Sequence, residues 1–428
     1  MNYGSNGGGQ NCNGYTTFYQ TGTELLDVDG DGYTDVLEQD RNATDHWFLL
    51  KNNQNGTVTT SSYLDAGDGD ITRILTGDFN GDGWADLYIQ HLQEFQQSNG
   101  DGTFKRVSFT TDSSTNTKLF AADFDGDGCT DILANGSTNK IYYACSPAPP
   151  ATINNWIHNG YEITLADFNG DGKTDVLVTP DNGTAAQLWL STGTGLVEVN
   201  ANVQLGTAYS SGNWGDYSIV TGDWNGDGKA DIAIIPKTAT NKSYQIYLST
   251  GNGKLVATGV GRELQGSGQT ISAVVADWNN DGGPDIWIQY SNTSANDLME
   301  RFAFIPITIS AVANGVGISS TVAYKPLSDS SVYTKGSGAV FPTQDVVNPL
   351  WVVSQVLSSN GVGDLNDNYK IGSSFFYTGG KMDAHGRGFL GFQKIQIDDG
   401  QGMEQFTNYC TAFPCTGMVT SSTKVCPQ

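Results

Sequence analysis

Six short stretches of the 428-residue chain place carboxylates at one fixed spacing. They read DVDGDGYTD from Asp27, DFNGDGWAD from Asp78, DFDGDGCTD from Asp123, DFNGDGKTD from Asp167, DWNGDGKAD from Asp223 and DWNNDGGPD from Asp277. Oxygen-bearing side chains fall at positions 1, 3, 5 and 9 of each stretch, and the glycine at position 6 permits a sharp turn. Alternate residues of a tight loop can aim their oxygens at one point, and a hard divalent cation such as calcium takes about six to eight oxygen ligands. The candidate side-chain ligands are Asp27, Asp29, Asp31 and Asp35; Asp78, Asn80, Asp82 and Asp86; Asp123, Asp125, Asp127 and Asp131; Asp167, Asn169, Asp171 and Asp175; Asp223, Asn225, Asp227 and Asp231; and Asp277, Asn279, Asp281 and Asp285. The position-7 residues Tyr33, Trp84, Cys129, Lys173, Lys229 and Gly283 would each add a backbone carbonyl.

Asp, Asn and Gly also build turns that hydrogen-bond only their own backbone. That reading suits one such loop. It does not explain three or four carboxylates within nine residues, six times over, because those charges repel one another without a cation. An EF-hand shares positions 1, 3, 5 and 6 but needs a bidentate Glu at position 12 and flanking helices. Position 12 is Glu38 in the first stretch and Ile89, Ala134, Val178, Ile234 and Ile288 in the others. The runs that flank the loops, such as Ile163–Ala166 before and Val176–Val178 after, are β-branched and short, so each loop is expected to join two strands.

The loops start 51, 45, 44, 56 and 54 residues apart. Within each interval lies a further strand–turn–strand signal, for example QLWLSTGTGL from Gln187 and QIYLSTGNGKL from Gln245. Two hairpins per unit of this length is the arithmetic of a four-stranded propeller blade. The loops and the STGNGKL-type hairpins together resemble FG-GAP (VCBS-type) repeats, the calcium-binding blades of integrin-α-like propellers, over about residues 15–295. The expected fold class is all-β: a calcium-binding β-propeller of six repeat units, with six or seven blades, over 1–295, followed by a smaller β-rich domain over 296–428.

After the last loop come short β-rich runs: Phe302–Ile309, Thr321–Tyr324, Leu350–Val356, Ser373–Tyr377 and Phe389–Ile397. The strings ANGVGISSTVAYKPLSDSSVYT (from Ala313), NPLWVVSQV (from Asn348), GRGFLGF (from Gly386) and FTNYCTAFPCTGM (from Phe406) resemble the segment after the propeller in the B subunits of bacterial insecticidal Tc toxin complexes and in SpvB/Rhs-type proteins. That resemblance implies a secreted toxin or virulence protein, a protein partner (a Tc A-like pore subunit or an Rhs shell), and a tail that begins an Rhs-type shell. The family's SpvB-like N-terminal region, Rhs repeats and variable C-terminus have no counterpart in these residues, so the chain reads as a middle piece or a short relative.

A formal charge of −24 argues against nucleic acid and anionic lipid as partners. No run approaches the roughly 20 apolar residues of a membrane-spanning helix. The Gly/Asn-rich start has no apolar h-region, so no Sec-type signal is visible, and it reads like a linker. Twenty of the 45 acidic residues sit in the six loops, where a cation would neutralise them, which makes them poor proton donors. His46, His91, His158 and His385 are scattered, and no HExxH, GxSxG or phosphate-loop pattern occurs, so no catalytic site is expected. Arg387 in GRGFLGF is expected to pack and pair inside a strand. Cys12, Cys129, Cys145, Cys410, Cys415 and Cys426 form no CxxC pair and are expected as isolated thiols, except that Cys410 and Cys415 lie close enough to pair. Two other function classes stay open at this point: an integrin-like adhesion or carbohydrate-binding surface propeller, and a propeller hydrolase or lyase.

Overall fold

The computed structural model describes residues 23–30, 33–39, 46–53, 56–60, 64–65, 74–112, 117–154, 161–180, 185–200, 203, 214–238, 242–259, 261–264, 268–279, 281, 283–291, 298–300, 308–313, 319–339, 343–346, 350–359, 370–383 and 388–426. Expectations for Cys12, Asp31, His158, residues 302–307, His385 and Arg387 lie outside them.

Every expected loop joins two antiparallel strands, and the residue before position 1 faces position 9 across the mouth. The facing pairs include Leu26 with Asp35, Gly77 with Asp86, Ala166 with Asp175, Gly222 with Asp231 and Ala276 with Asp285. Each such pair opens an antiparallel sheet. The second sheet runs Ile74–Gly77, Asp86–Ile89, Glu94–Ser98, Phe104–Ser108, in that spatial order. The third runs Lys118–Ala122, Asp131–Asn135, Asn139–Tyr142, Ala151–Ile153, and the fourth Tyr161–Ala166, Asp175–Pro180, Gln187–Ser191, Leu196–Asn200. The fifth repeats the plan from Tyr217–Gly222 to Leu255–Ala257. The first adds a short fifth strand, Leu64–Asp65, and the sixth has three strands among the described residues. The chain is therefore all-β with a repeated four-stranded sheet of the propeller-blade kind.

The strands after the second and fifth loops are apolar on both faces because neighbouring sheets cover both faces. In Asp86–Ile89, Leu87 and Ile89 join Leu37, Trp47 and Leu49 of the first sheet, whereas Tyr88 turns the other way to Phe79, Phe95, Ile132 and Ala134. In Asp231–Pro236, Ile232 and Ile234 pack with Leu177 and Leu188, while Ala233 and Ile235 pack with Ile286 and Ile288. A two-residue side-chain period sends alternate residues into successive inter-sheet cores, and that is why these strands read as unbroken apolar runs.

Two compact units divide the chain by packing: Met1–Ala121 with Cys129–Pro150, and Ala122–Gly128 with Ala151–Gln428. The second unit also holds a nine-stranded sheet. Seven of its strands follow in order from Ala311–Ala313 to Val419–Val425, and Tyr333–Thr334 and Thr343–Asp345 pair on the long strand Lys370–Asp383. Its core gathers Leu327, Val332, Tyr333, Val346 and Tyr377, with the Phe392 ring tilted against Tyr377 at 4.7 Å between centroids. Of the GRGFLGF apolar residues, Leu390 is buried while Phe389 is exposed.

The cysteines correct one expectation. Cys129 and Cys145 are joined in a disulfide 16 residues apart rather than standing as thiols, and Cys410–Cys415 forms the short bridge that their spacing allows. The two halves of the first bridge come from adjacent sequence patterns, a loop and a hairpin end, so nothing in the linear spacing marks them as neighbours.

Candidate metal centre

Each loop is built by its own carboxylates. The position-1 oxygens cap the turn: Asp78 accepts the N–H groups of Gly81 at 2.7 Å, Asp82 at 3.1 Å and Gly83 at 2.8 Å. Asp167 repeats this with Gly170, Asp171 and Gly172, and Asp223 with Gly226, Asp227 and Gly228. Asp123 takes Gly126 and Gly128. Position 3 accepts the position-5 N–H, as from Asn80 to Asp82 at 2.9 Å and from Asn279 to Asp281 at 2.9 Å. Position 5 accepts the position-7 N–H, as at Trp84, Lys173, Lys229 and Gly283. The glycines at positions 4 and 6 of the second loop have φ of +75° and +88°, a region that a Cβ disfavours.

Position 9 has a role that its spacing alone did not reveal. Asp35, Asp86, Asp131, Asp175, Asp231 and Asp285 are the most deeply buried carboxylates of the loops. One oxygen accepts the position-2 N–H: Val28 to Asp35, Phe79 to Asp86, Phe168 to Asp175, Trp224 to Asp231 and Trp278 to Asp285, at 2.9–3.2 Å. The other accepts an N–H at the end of the sheet's third strand: Asn52, Ser98, Ala144, Ser191 and Ser249, at 2.7–3.0 Å. These carboxylates therefore lock the loop to the body of its sheet. Each oxygen has a second lone-pair direction, so the lock leaves coordinating capacity.

The electrostatics follow from that burial. It pushes Asp86 and Asp175 up to about 7 and Asp231 up to about 6; their N–H bonds pull the other way, and the neighbouring position-1 and position-5 carboxylates add to the rise. Burial also leads the upward shift of Asp125, in the third loop. At Asp171 and Asp227 burial again pushes up, but the hydrogen bonds and charges of Lys173 and Lys229 outweigh it and hold both below the usual carboxylate range. Those ion pairs measure 3.2 Å and 2.7 Å.

In the first loop one ligand atom from each of Asp27, Asp29 and Asp35 lies within 4.8 Å of the others. Lys51 pairs with one Asp29 oxygen, while the other, Oδ1, is buried with no hydrogen-bond partner among the described residues. A buried anionic acceptor left without a donor, on a residue clustered with two further carboxylates, fits a hard cation.

The comparisons with known proteins agree with the motifs. The FG-GAP-like repeat model matches residues 27–89 and 167–234, and the insecticide toxin TcdB middle/N-terminal region matches residues 249–418. No curated protein matches the chain. Among solved structures, an Agrocybe aegerita lectin, described for its specific recognition of non-reducing terminal N-acetylglucosamine, is 19% identical over 63% of this chain and 74% of its own, with a TM-score of 0.51. TcdB2-TccC3 without its hypervariable C-terminal region is 15% identical over 92% of this chain, with a TM-score of 0.46, and TcdB2-TccC3-TEV is 14% identical over the same share, with a TM-score of 0.48. The chain spans about a fifth of the length of these two, 20% in each case. By its family matches the chain carries FG-GAP-like repeats followed by a segment similar to the middle/N-terminal region of insecticide toxin TcdB.

Proposed function

We propose that this chain is a non-enzymatic module of a Tc/Rhs-type secreted toxin. In this reading the blade-like sheets close into a propeller of six or seven blades that docks to a protein partner, a Tc A-like pore subunit or an Rhs shell. Calcium, held by the position-1, -3 and -5 side chains and the position-7 carbonyls with the position-9 carboxylates behind them, stiffens the turns between strands. The residues from about 296 onward begin the shell.

The observation that carries the reading is the state of the nine-stranded sheet's edges. All seven residues of Val419–Val425 are exposed at one edge, and all three of Ala311–Ala313 at the other. A long edge strand that pairs on one side only among the described residues, with exposed apolar residues such as Val419 and Val425, invites continuation by further strands. A freestanding adhesin has no use for such an edge. The order of repeats and tail along the chain supports the same assignment.

The test is association in solution. The full chain, in calcium, is mixed separately with a Tc A-type pore subunit and with an Rhs-repeat polypeptide, and complexes are sought by size-exclusion chromatography with light scattering. A stable complex with either, weakened by EDTA, is the expected result. Absence of both complexes, together with turnover of a sugar or ester substrate, would overturn the reading.

A further inference from the structure

The loops are wired to one another. Asp231 of the fifth loop accepts the Ser249 N–H, and the Ser249 hydroxyl donates to the Phe168 carbonyl of the fourth loop at 2.5 Å. The Phe168 N–H donates to Asp175, Asp175 accepts the Ser191 N–H, and the Ser191 hydroxyl donates to the Phe124 carbonyl of the third loop at 2.5 Å. The same relay runs from Asp86 through Ser98 and Val28 to Asp35, between the second and first loops. A parallel tie joins the position-8 N–H of one loop to the position-1 carbonyl of the loop before it: Ala85 to Asp27, Thr130 to Asp78, Thr174 to Asp123 and Ala230 to Asp167, at 2.6–3.0 Å. The serines are buried and their hydroxyls are shielded from water, so these bonds have no solvent substitute.

We infer that cation binding at neighbouring loops is positively coupled, and that Ser98, Ser191 and Ser249 are the coupling residues. The inference rests on the reading of the loops as calcium sites. A cation that gathers the position-1, -3 and -5 oxygens fixes the position-2 peptide unit between them. The N–H of that peptide holds its own loop's position-9 carboxylate, and its carbonyl holds the next loop's serine. Ordering one loop therefore completes part of the ordering that its neighbour needs, and the second ion binds more tightly by the same factor in either sequence of filling. The third repeat breaks the relay. Ala144 takes the serine's place on Asp131 and has no hydroxyl to donate, and Cys145 Sγ of the Cys129–Cys145 disulfide lies 3.6 Å from the Phe79 carbonyl of the second loop instead. The loops joined by serine hydroxyls are thus the first and second, and the third, fourth and fifth; between the second and third only the Thr130–Asp78 backbone tie remains of the two, so their coupling is the weakest.

Calorimetric titration of the calcium-free full chain with calcium tests this. The expected wild-type curve has a Hill slope clearly above one, with a neighbour's ion tightening the next by about fivefold or more. Ser191→Ala with Ser249→Ala brings the slope toward one at unchanged stoichiometry, while Ser249→Thr, which keeps the hydroxyl, retains it. The wild-type slope is decisive even where an alanine variant fails to fold. A slope of one with several ions bound, or a slope that the alanine pair leaves unchanged, overturns the coupling and leaves the cation reading intact. No calcium uptake at all removes the cation reading and the coupling with it.

Discussion

Replacing Asp175 by alanine separates the structural role of position 9 from any cation. The side chain is fully buried and accepts two backbone N–H groups, from Phe168 at 2.9 Å and Ser191 at 2.7 Å. Alanine leaves both donors buried without an acceptor. Each orphaned group costs about 1–3 kcal/mol, so the pair costs about 2–6 kcal/mol, with ~4 kcal/mol as the working figure. For an m-value of about 3 kcal/mol/M in urea, that lowers the unfolding midpoint by more than ~1 M. The assay is urea unfolding of the full chain in EDTA, at pH 8, where Asp175 is ionised. Asp171→Ala is the control, because that side chain is exposed and its bonds stay within the loop; its expected loss is about 1 kcal/mol or less. If Asp175→Ala unfolds within ~0.5 kcal/mol of wild type in EDTA, position 9 is not a structural lock, and its burial needs a cation to explain it.

Calcium itself should raise the melting temperature: at ten times the dissociation constant each independent site adds about 1.4 kcal/mol, and six add ~8 kcal/mol. An EDTA-insensitive melting curve with no calcium by elemental analysis removes that expectation. The loops should fill unequally, with the four-Asp loops at Asp27 and Asp123 tightest and the Asp277 loop weakest, which anomalous scattering from crystals grown at limiting calcium would read as occupancies. The pH dependence has a definite sign. Asp86, Asp175 and Asp231 have folded pKa values raised above the ordinary carboxylate value, so their contribution to the calcium-free fold is complete below about pH 4 and is lost as pH rises through 6 to 7. Calcium favours the ionised forms, so the stabilisation that it confers should be larger at pH 8 than at pH 5. Equal increments at the two pH values would show that these carboxylates do not face the ion.

The loops were legible because their chemistry is local. Nine residues set the turn, the glycine positions and the strand on either side, and among the described residues the structure shows each loop as a turn between two paired strands. The apolar runs after the loops were legible for a related reason: burial on both faces removes the alternation that a half-exposed strand would show, as in Asp231–Pro236. The tail was harder. Trp351–Ser359 and Lys370–Asp383 are longer than their apolar cores suggest, and Glu404–Tyr409 and Val419–Val425 carry so many polar residues that neither reads as a strand. They are strands because each pairs with a neighbour already in the sheet, Ile395 with Thr407 and Phe406 with Thr423, and that information is not in their own composition.

What stayed hidden were the ties between repeats. The serine of the STG hairpin signal reads as a turn residue, and only the fold shows its hydroxyl reaching the loop of the preceding repeat, 67 residues back from Ser191 and 81 from Ser249. A trace was nonetheless present in the sequence. Serine ends the third strand in the second, fourth and fifth repeats and is missing in the third, and the third is where the two cysteines sit. A covalent link between Cys129 and Cys145 fastens the third loop to its own hairpin, the join that lacks a serine hydroxyl. The disulfide holds one repeat internally, whereas the serine joins two repeats. A substitution of one for the other therefore gives up the serine hydroxyl bond to the second repeat, while the Thr130 N–H to the Asp78 carbonyl and the approach of Cys145 Sγ to the Phe79 carbonyl keep the two repeats in contact, and this exchange is where the chain of serine bonds is interrupted.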